Sequence, residues 1–199
     1  MPDEKPPATS HETTEDELRA VTIGPLQPLT GKVLIVEYDP NWPRQFAAEA
    51  AKIRAALDER ALLLEHAGST SVPNLAAKPI IDIVLVVHDS SDEAAYVPAL
   101  EAVGYALRIR EPDWYDHRLL KGVDPAVNLH VFSPGCEETE RMLLMRDWLR
   151  AHENDRELYA RAKRELAHRD WKYTQNYADA KTAIVQEILA RAAAYQASE

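Results

Sequence analysis

Cysteine is almost missing from this chain: Cys136 stands alone. An internal disulfide is excluded, and so is a zinc site built on several thiolates; both suit a reducing cytoplasm, the expected compartment. Positive charge is also short. Twenty-three Lys and Arg face 33 Asp and Glu, a net charge of −10, which argues against extended nucleic acid, whose phosphates need a basic surface. A local basic pocket for a small phosphorylated ligand stays compatible with that balance. The opening Met1-Pro2-Asp3-Glu4 lacks the basic and apolar regions of a secretory signal. No apolar run approaches the ~20 residues of a membrane helix; the longest, residues 80–87, is interrupted by Asp82. No membrane partner is expected, and no internal repeat is present.

What is there fits one domain with an extension. The 199 residues are 46% hydrophobic and 28% charged, ordinary for a globular chain. Residues 1–30 read as a disordered, acidic and proline-rich tail, holding Pro2, Pro6, Pro7, Pro25 and Pro28 with six carboxylates against Lys5 and Arg19. Such a segment has little apolar surface to offset its ordering entropy, and a short helix over residues 14–20 is the one element it suggests. Residues 31–199 read as the folded domain.

A strand is predicted over residues 32–37. Asp39-Pro40-Asn41-Trp42-Pro43 then turns the chain, with Asn41 as an N-cap, into a helix whose apolar stripe is Phe46, Ala50, Ile53 and Leu57. Residues 62–65 and 80–87 read as strands, the second apolar on both faces and so central in a sheet. A helix over residues 92–103 ends at Gly104, and strands follow over 105–110, 115–121 and 127–132. From Glu137 onward three stripes indicate helices: Met142, Met145 and Leu149; Leu158, Ala162 and Leu166; Ala180, Ile184 and Ile188. The fold class is α/β (α+β), a mixed sheet flanked by helices with a helical C-terminal segment.

Two clusters carry the chemistry. In His66-Ala67-Gly68-Ser69-Thr70-Ser71-Val72-Pro73, a glycine and three hydroxyl residues at a strand end offer backbone N–H groups and hydroxyls to phosphate; a polar turn capping the next segment is the plain alternative. In Lys78-Pro79-Ile80-Ile81-Asp82-Ile83-Val84, an aspartate inside an apolar strand needs a pair, a hydrogen bond or a metal. Asp82, Val84 and Val86 share one face, and Lys78 reaches the same mouth, the plain alternative being a structural pair of Asp82 with Lys78 or with an arginine. Gly-Ser at one element's end, about a dozen residues, then a strand aspartate resembles the nucleotidyltransferase outline. In that fold the loop holds a nucleoside triphosphate and strand carboxylates hold Mg2+.

With that outline, the chain resembles the GrpB family, a nucleotidyltransferase-like group. The resemblance rests on Tyr38-Asp39-Pro40-Asn41-Trp42 with Phe46, the two clusters above, Gly104-Tyr105 and Leu129-His130-Val131. It continues through Arg146-Asp147-Trp148-Leu149-Arg150, Tyr159 with Lys163, and Tyr177 with Lys181, over residues 33–195. It implies a nucleotide or phosphorylated metabolite as ligand and nucleotidyl transfer to a small acceptor, or a non-catalytic accessory domain. Some members resemble domains fused to dephospho-CoA kinase, which implies a link to coenzyme A metabolism.

One departure bears on catalysis. The second carboxylate expected two residues after Asp82 is Val84, so the metal centre is incomplete, and the cofactor it suits is a single weakly held Mg2+ on Asp82. Asn128 and His130 share one face of their strand and fit beside Asp82; His130 reads as metal ligand, proton carrier or phosphate donor, or as a core histidine. His66 carries the same alternatives, and at most one of Glu65 and His66 faces the pocket. Asp82 and His130 are thus the candidate catalytic pair. His66, Gly68, Ser69, Thr70, Lys78, Arg118, Arg146 and Lys181 are candidate phosphate ligands, with Arg150 beside Arg146 on one helix face. Asp147 and Asp155 are competing partners for those arginines, and Trp42 and Trp114 suit base stacking or packing.

Overall fold

The structure is a computed structural model that describes residues 12–197; the reading of residues 1–11 as a tail lies outside the described residues. Five strands build one mixed sheet: β1 (Leu63–Ala67), β2 (Ile81–Val86), β3 (Ala106–Glu111), β4 (His117–Val123) and β5 (Ala126–Phe132), in the order β1-β2-β5-β4-β3. β2 and β5 are parallel, and the other neighbours are antiparallel. β2 sits inside the sheet as its apolar run requires, every residue buried except Asp82, which is half-buried.

One sheet face is closed by helices α2 (Trp42–Leu57) and α3 (Val97–Ala102). Ile81, Ile83, Leu85, Leu129 and Val131 meet Trp42, Ile53, Leu57 and Leu100 there, each contributing about 1.5–3 kcal/mol of burial. The opposite face carries Asp82 and Val84 of β2 beside Asn128 and His130 of β5. Helix α4 (Glu137–Ala151) covers its far end, where Met142 meets Val84, Val86 and Phe132. Helices α5 (Glu153–Ala167), α6 (Thr174–Asp179) and α7 (Thr182–Gln196) complete the C-terminal layer. Leu149, Tyr159, Ala160 and Ile188 clamp Val72 and Leu75, anchoring the chain just after the Gly68 loop.

The α/β class, the mixed sheet and the helical C-terminal segment agree with the sequence reading, and several local expectations change. Residues 32–37 make no strand: only Val36 pairs, exchanging both hydrogen bonds with Ala77 at 2.9 Å. The next antiparallel rung would set Leu34 opposite Pro79, which has no N–H to donate. Asn41 occupies the N-cap of α2 but makes no side-chain capping bond. The helix expected over residues 92–103 splits into a 3-10 turn, Glu93–Ala95, and α3, because Pro98 lacks the N–H that would continue the first turn.

Residues 12–30, read as part of the tail, carry helix α1 (Glu15–Val21), started by a capping box between Thr14 and Glu17. Thr22 bridges Ile109, and Leu29 N–H donates to Lys172 C=O. Nothing in α1 is buried; the stretch is held by Thr13 bonding to Asp179 and Asn176, by the Glu15–Lys172 ion pair and by Leu29 packing beside Leu166 and Tyr177, long-range contacts that composition does not reveal. Among the described residues no helix is long and apolar enough to cross a membrane.

Candidate functional site

Sheet register decides which side chains share the Asp82 face. Asp82 lies opposite Ala67 on one side and Asn128 on the other, and Asn128 in turn lies opposite Lys121. The next row runs Glu65, Val84, His130, Leu119. Asn128 Nδ2 donates to Asp82 Oδ1 at 2.8 Å, and His130 Nε2 lies 3.8 Å from the same oxygen. Gly68 (φ +63) closes the other side: a Cβ placed there would fall 2.2 Å from Asp82 Oδ2. Glycine is needed at this position for both the backbone angle and the close approach.

Ser69 follows, and its Oγ accepts from Lys163 Nζ at 2.8 Å. Lys163 is buried on α5, where it also donates to Ala76 C=O and lies 4.6 Å from the Tyr159 ring centroid. Lys78 and Lys181 flank the ring of Tyr177 at 5.9 and 4.6 Å from its centroid. None of Lys78, Lys121, Lys163 and Lys181 forms a carboxylate ion pair among the described residues. Burial first, and neighbouring positive charge second, lower the pKa of Lys78 and Lys163. Burial, then Lys181 and Lys121, bring Lys78 down to about 8 against the pull of Asp82. Burial, then Lys181 and Arg164, hold Lys163 well below the ordinary lysine range. Burial alone would raise the Asp82 carboxyl, but His130, the Asn128 amide and Lys181 outweigh it and keep it below its usual value. Four lysines thus lie near one carboxylate, a local excess of basic groups in an acidic protein.

Behind His130 stands a second imidazole. His117 Nε2 meets His130 Nδ1 at 3.1 Å, and His117 Nδ1 meets Glu111 Oε2 at 2.7 Å. Burial, more than Glu111 compensates, lowers the His117 pKa.

Several expected ligands are elsewhere. His66 points to the opposite sheet face, stacked on Phe46 at 4.7 Å between ring centroids and bonded to Thr70 Oγ1 at 3.1 Å; burial brings its pKa down to about 4. Thr70 is buried, and its hydroxyl donates to Ile80 C=O. Arg118 is buried on the far face, because β4 register sets it opposite Val131; it donates to Glu93 at 2.6 Å and to the carbonyls of Asp116 and His117. Arg146 is taken up by Glu65 at 2.7 Å, by Asp147 and by His66 C=O. Arg150 holds Ser71 C=O and so braces the loop rather than offering a free fork. Trp42 is core, and Trp114 packs edge-on against His117 and Phe132. Gly68, Ser69, Lys78, Asp82, His130 and Lys181 are the expected residues that do come together.

Lys121, Lys163, His117 and Glu111 were not expected in the site. The signal for Lys163 was its helical spacing from Tyr159 and Leu166, which places a lysine on the buried face of α5. Of the expected stripe, Leu166 lies on that face, while Leu158 and Ala162 each sit one residue away from it.

A family model described as GrpB protein matches residues 32–191. A UPF0157 protein of Halalkalibacterium halodurans is 57% identical over 192 residues, covering 96% of this chain and 98% of the relative. A segment of a dephospho-CoA kinase of Mycolicibacterium paratuberculosis is 31% identical over 163 residues, covering 69% of this chain and 40% of that protein. Among solved structures, the conserved protein GrpB from Enterococcus faecalis superposes with a TM-score of 0.69 at 32% identity, over 80% of this chain and 96% of that one. A weaker likeness, TM-score 0.44 at 13% identity over 65% of this chain and 45% of the other, is to the Cid1 poly(U) polymerase. With a family model spanning most of its length and relatives matched nearly end to end, the chain belongs to the GrpB family.

Proposed function

We propose that the Asp82 face binds the phosphates of a nucleotide or a similar phosphorylated metabolite. The observation that carries this reading is the group of lysines without carboxylate partners, Lys78, Lys121, Lys163 and Lys181, gathered around Asp82 and Ser69. Amines gathered on a partly buried face hold their charge poorly until an anion enters, and a polyphosphate supplies compensating charge and acceptors together. Ser69 Oγ and the backbone at Gly68 contact phosphate oxygens. Lys163 holds Ser69 in place from beneath, and Lys78 and Lys181 close over the outer phosphates.

The donor set fits Mg2+ only as an ion shared with the ligand. Among the described residues no group of three or more His, Cys, Asp or Glu side chains could hold a metal, and Mg2+ is commonly held by one or two carboxylates plus substrate phosphates. Asp82 provides the one carboxylate, the Asn128 amide fixes its orientation, and bound Mg2+ would neutralise phosphate charge there. The same geometry suits nucleotidyl transfer to a small acceptor. Val84 in place of a second carboxylate favours binding without turnover, an accessory role. The dephospho-CoA kinase that contains a similar segment makes coenzyme A precursors sensible ligands to try beside ATP and GTP.

Melting temperature is the direct test. ATP or GTP with Mg2+ or Mn2+ raises it, a smaller rise persists in EDTA through the lysines, and Asp82→Ala removes the metal-dependent part. No shift with any nucleotide or coenzyme A precursor contradicts the proposal. Release of labelled pyrophosphate on adding cell-extract metabolites separates transfer from binding.

A further inference from the structure

The line Glu111–His117–His130–Asp82 runs across four strands, β3, β4, β5 and β2, on one sheet face and ends in a gap of defined chemistry. Glu111 Oε2 lies 2.7 Å from His117 Nδ1. An ionised carboxylate only accepts, so that nitrogen carries the proton and a neutral His117 presents the lone pair of Nε2. His130 Nδ1, 3.1 Å away, must then donate, and a neutral His130 presents the lone pair of Nε2 towards Asp82 Oδ1, whereas the protonated ring points its N–H there and holds the carboxyl low. The separation of 3.8 Å is too long for a hydrogen bond. Two acceptors facing each other across that distance suit a shared cation. Asp82 Oδ1 and His130 Nε2 would hold such an ion, with phosphate oxygens completing its shell.

We propose that Asp82 and His130 form a mixed oxygen–nitrogen site for a divalent transition ion of the Mn2+ type, filled together with the phosphate ligand. His130 takes the place that Val84 leaves unfilled, supplying from β5 what β2 lacks. Its Nε2 suits a transition ion better than Mg2+, which prefers oxygen, and among transition ions Mn2+ shares the preference for the carboxylate and phosphate oxygens that complete the set. His117 and Glu111 act as positioning residues that fix the tautomer and ring plane of His130, the ordinary role of an outer partner to a metal-bound histidine. The surrounding lysines oppose a bare cation, so the ion enters with the anion. The inference therefore rests on the proposed phosphate site.

The test uses the full chain with Mn2+ and inorganic tripolyphosphate, an anion without nitrogen. Electron spin echo envelope modulation of bound Mn2+ is expected to show 14N coupling from one imidazole. His130→Ala abolishes it and weakens Mn2+ binding about tenfold or more, while Mg2+ binding changes less than about twofold; His117→Phe weakens Mn2+ by about tenfold. His130→Gln, which keeps a polar side chain, gives the same loss of 14N signal if His130→Ala folds poorly. Bound Mn2+ without 14N coupling overturns this inference alone. Failure of tripolyphosphate to bind even in EDTA overturns the phosphate site and this inference with it.

Discussion

The carboxylate of Asp82 rests directly on the α-carbon of Gly68, so close that a methyl group there would fall 2.2 Å from Oδ2. Loop and strand therefore form one unit: the residue proposed to admit phosphate also sets where the carboxylate lies.

Gly68→Ala tests that contact. The new Cβ meets Asp82 at a backbone angle of φ +63, and the strain costs about 1–3 kcal/mol. Chemical denaturation should show the loss, and nucleotide binding should fall with it. Gly135→Ala, at φ +74 with nothing within 4 Å of the added atom, is the control: it loses stability but binds normally.

His66 is structural, and pH exposes it. Its pKa is lowered by burial to about 4 in the fold, so the unfolded chain binds the extra proton first. The stabilising difference is complete above pH ~6.5 and is lost as pH falls towards 4, up to about 3 kcal/mol in all. His66→Gln should flatten that slope in denaturation curves while leaving nucleotide affinity at neutral pH within about twofold. An unaltered slope would remove His66 from this role.

Arg118 separates the two sheet faces. Removing it leaves the Glu93 carboxylate, which Arg110 and burial-opposed Arg118 together hold at about 2, short of one partner. Arg118→Met should destabilise the fold by about 3 kcal/mol or more with no change in affinity for phosphate. A matching loss of affinity would place this arginine in the site after all.

These three cases mark how far the sequence could be read. Gly68, Ser69 and Asp82 were legible because a glycine–hydroxyl loop and a carboxylate in an apolar strand are costly without a purpose. The period of two also stated correctly that Glu65 and His66 face opposite ways. Which of them faces Asp82 depends on pairing with β2, where Glu65 lies opposite Val84, and no local pattern carries that register. Arg118 failed for the same reason: alternation along β4 is readable, but its alignment with Val131 is not. Lys163 entered only through the resemblance, because the apolar stripe was drawn through half-exposed Leu158 and Ala162, one residue away from buried Tyr159 and Lys163.

Lys78 makes phosphate binding depend on pH. Its folded pKa of about 8 leaves it partly neutral in mildly alkaline solution, and an anion beside it favours the charged form. Binding at pH 8 should take up protons, seen as a heat that changes between buffers of different ionisation enthalpy, and affinity should fall as pH rises through 8. Lys78→Ala should abolish most of that uptake.

The lysine group itself is best tested by calorimetric titration of ATP in EDTA, which leaves the metal out. Lys163→Met and Lys181→Ala are each expected to weaken binding by about tenfold or more, the worth of a charge-assisted hydrogen bond, with Arg118→Met equal to the unaltered protein. Equal affinities across all four proteins, or no binding by any of them, would contradict a phosphate site on the Asp82 face.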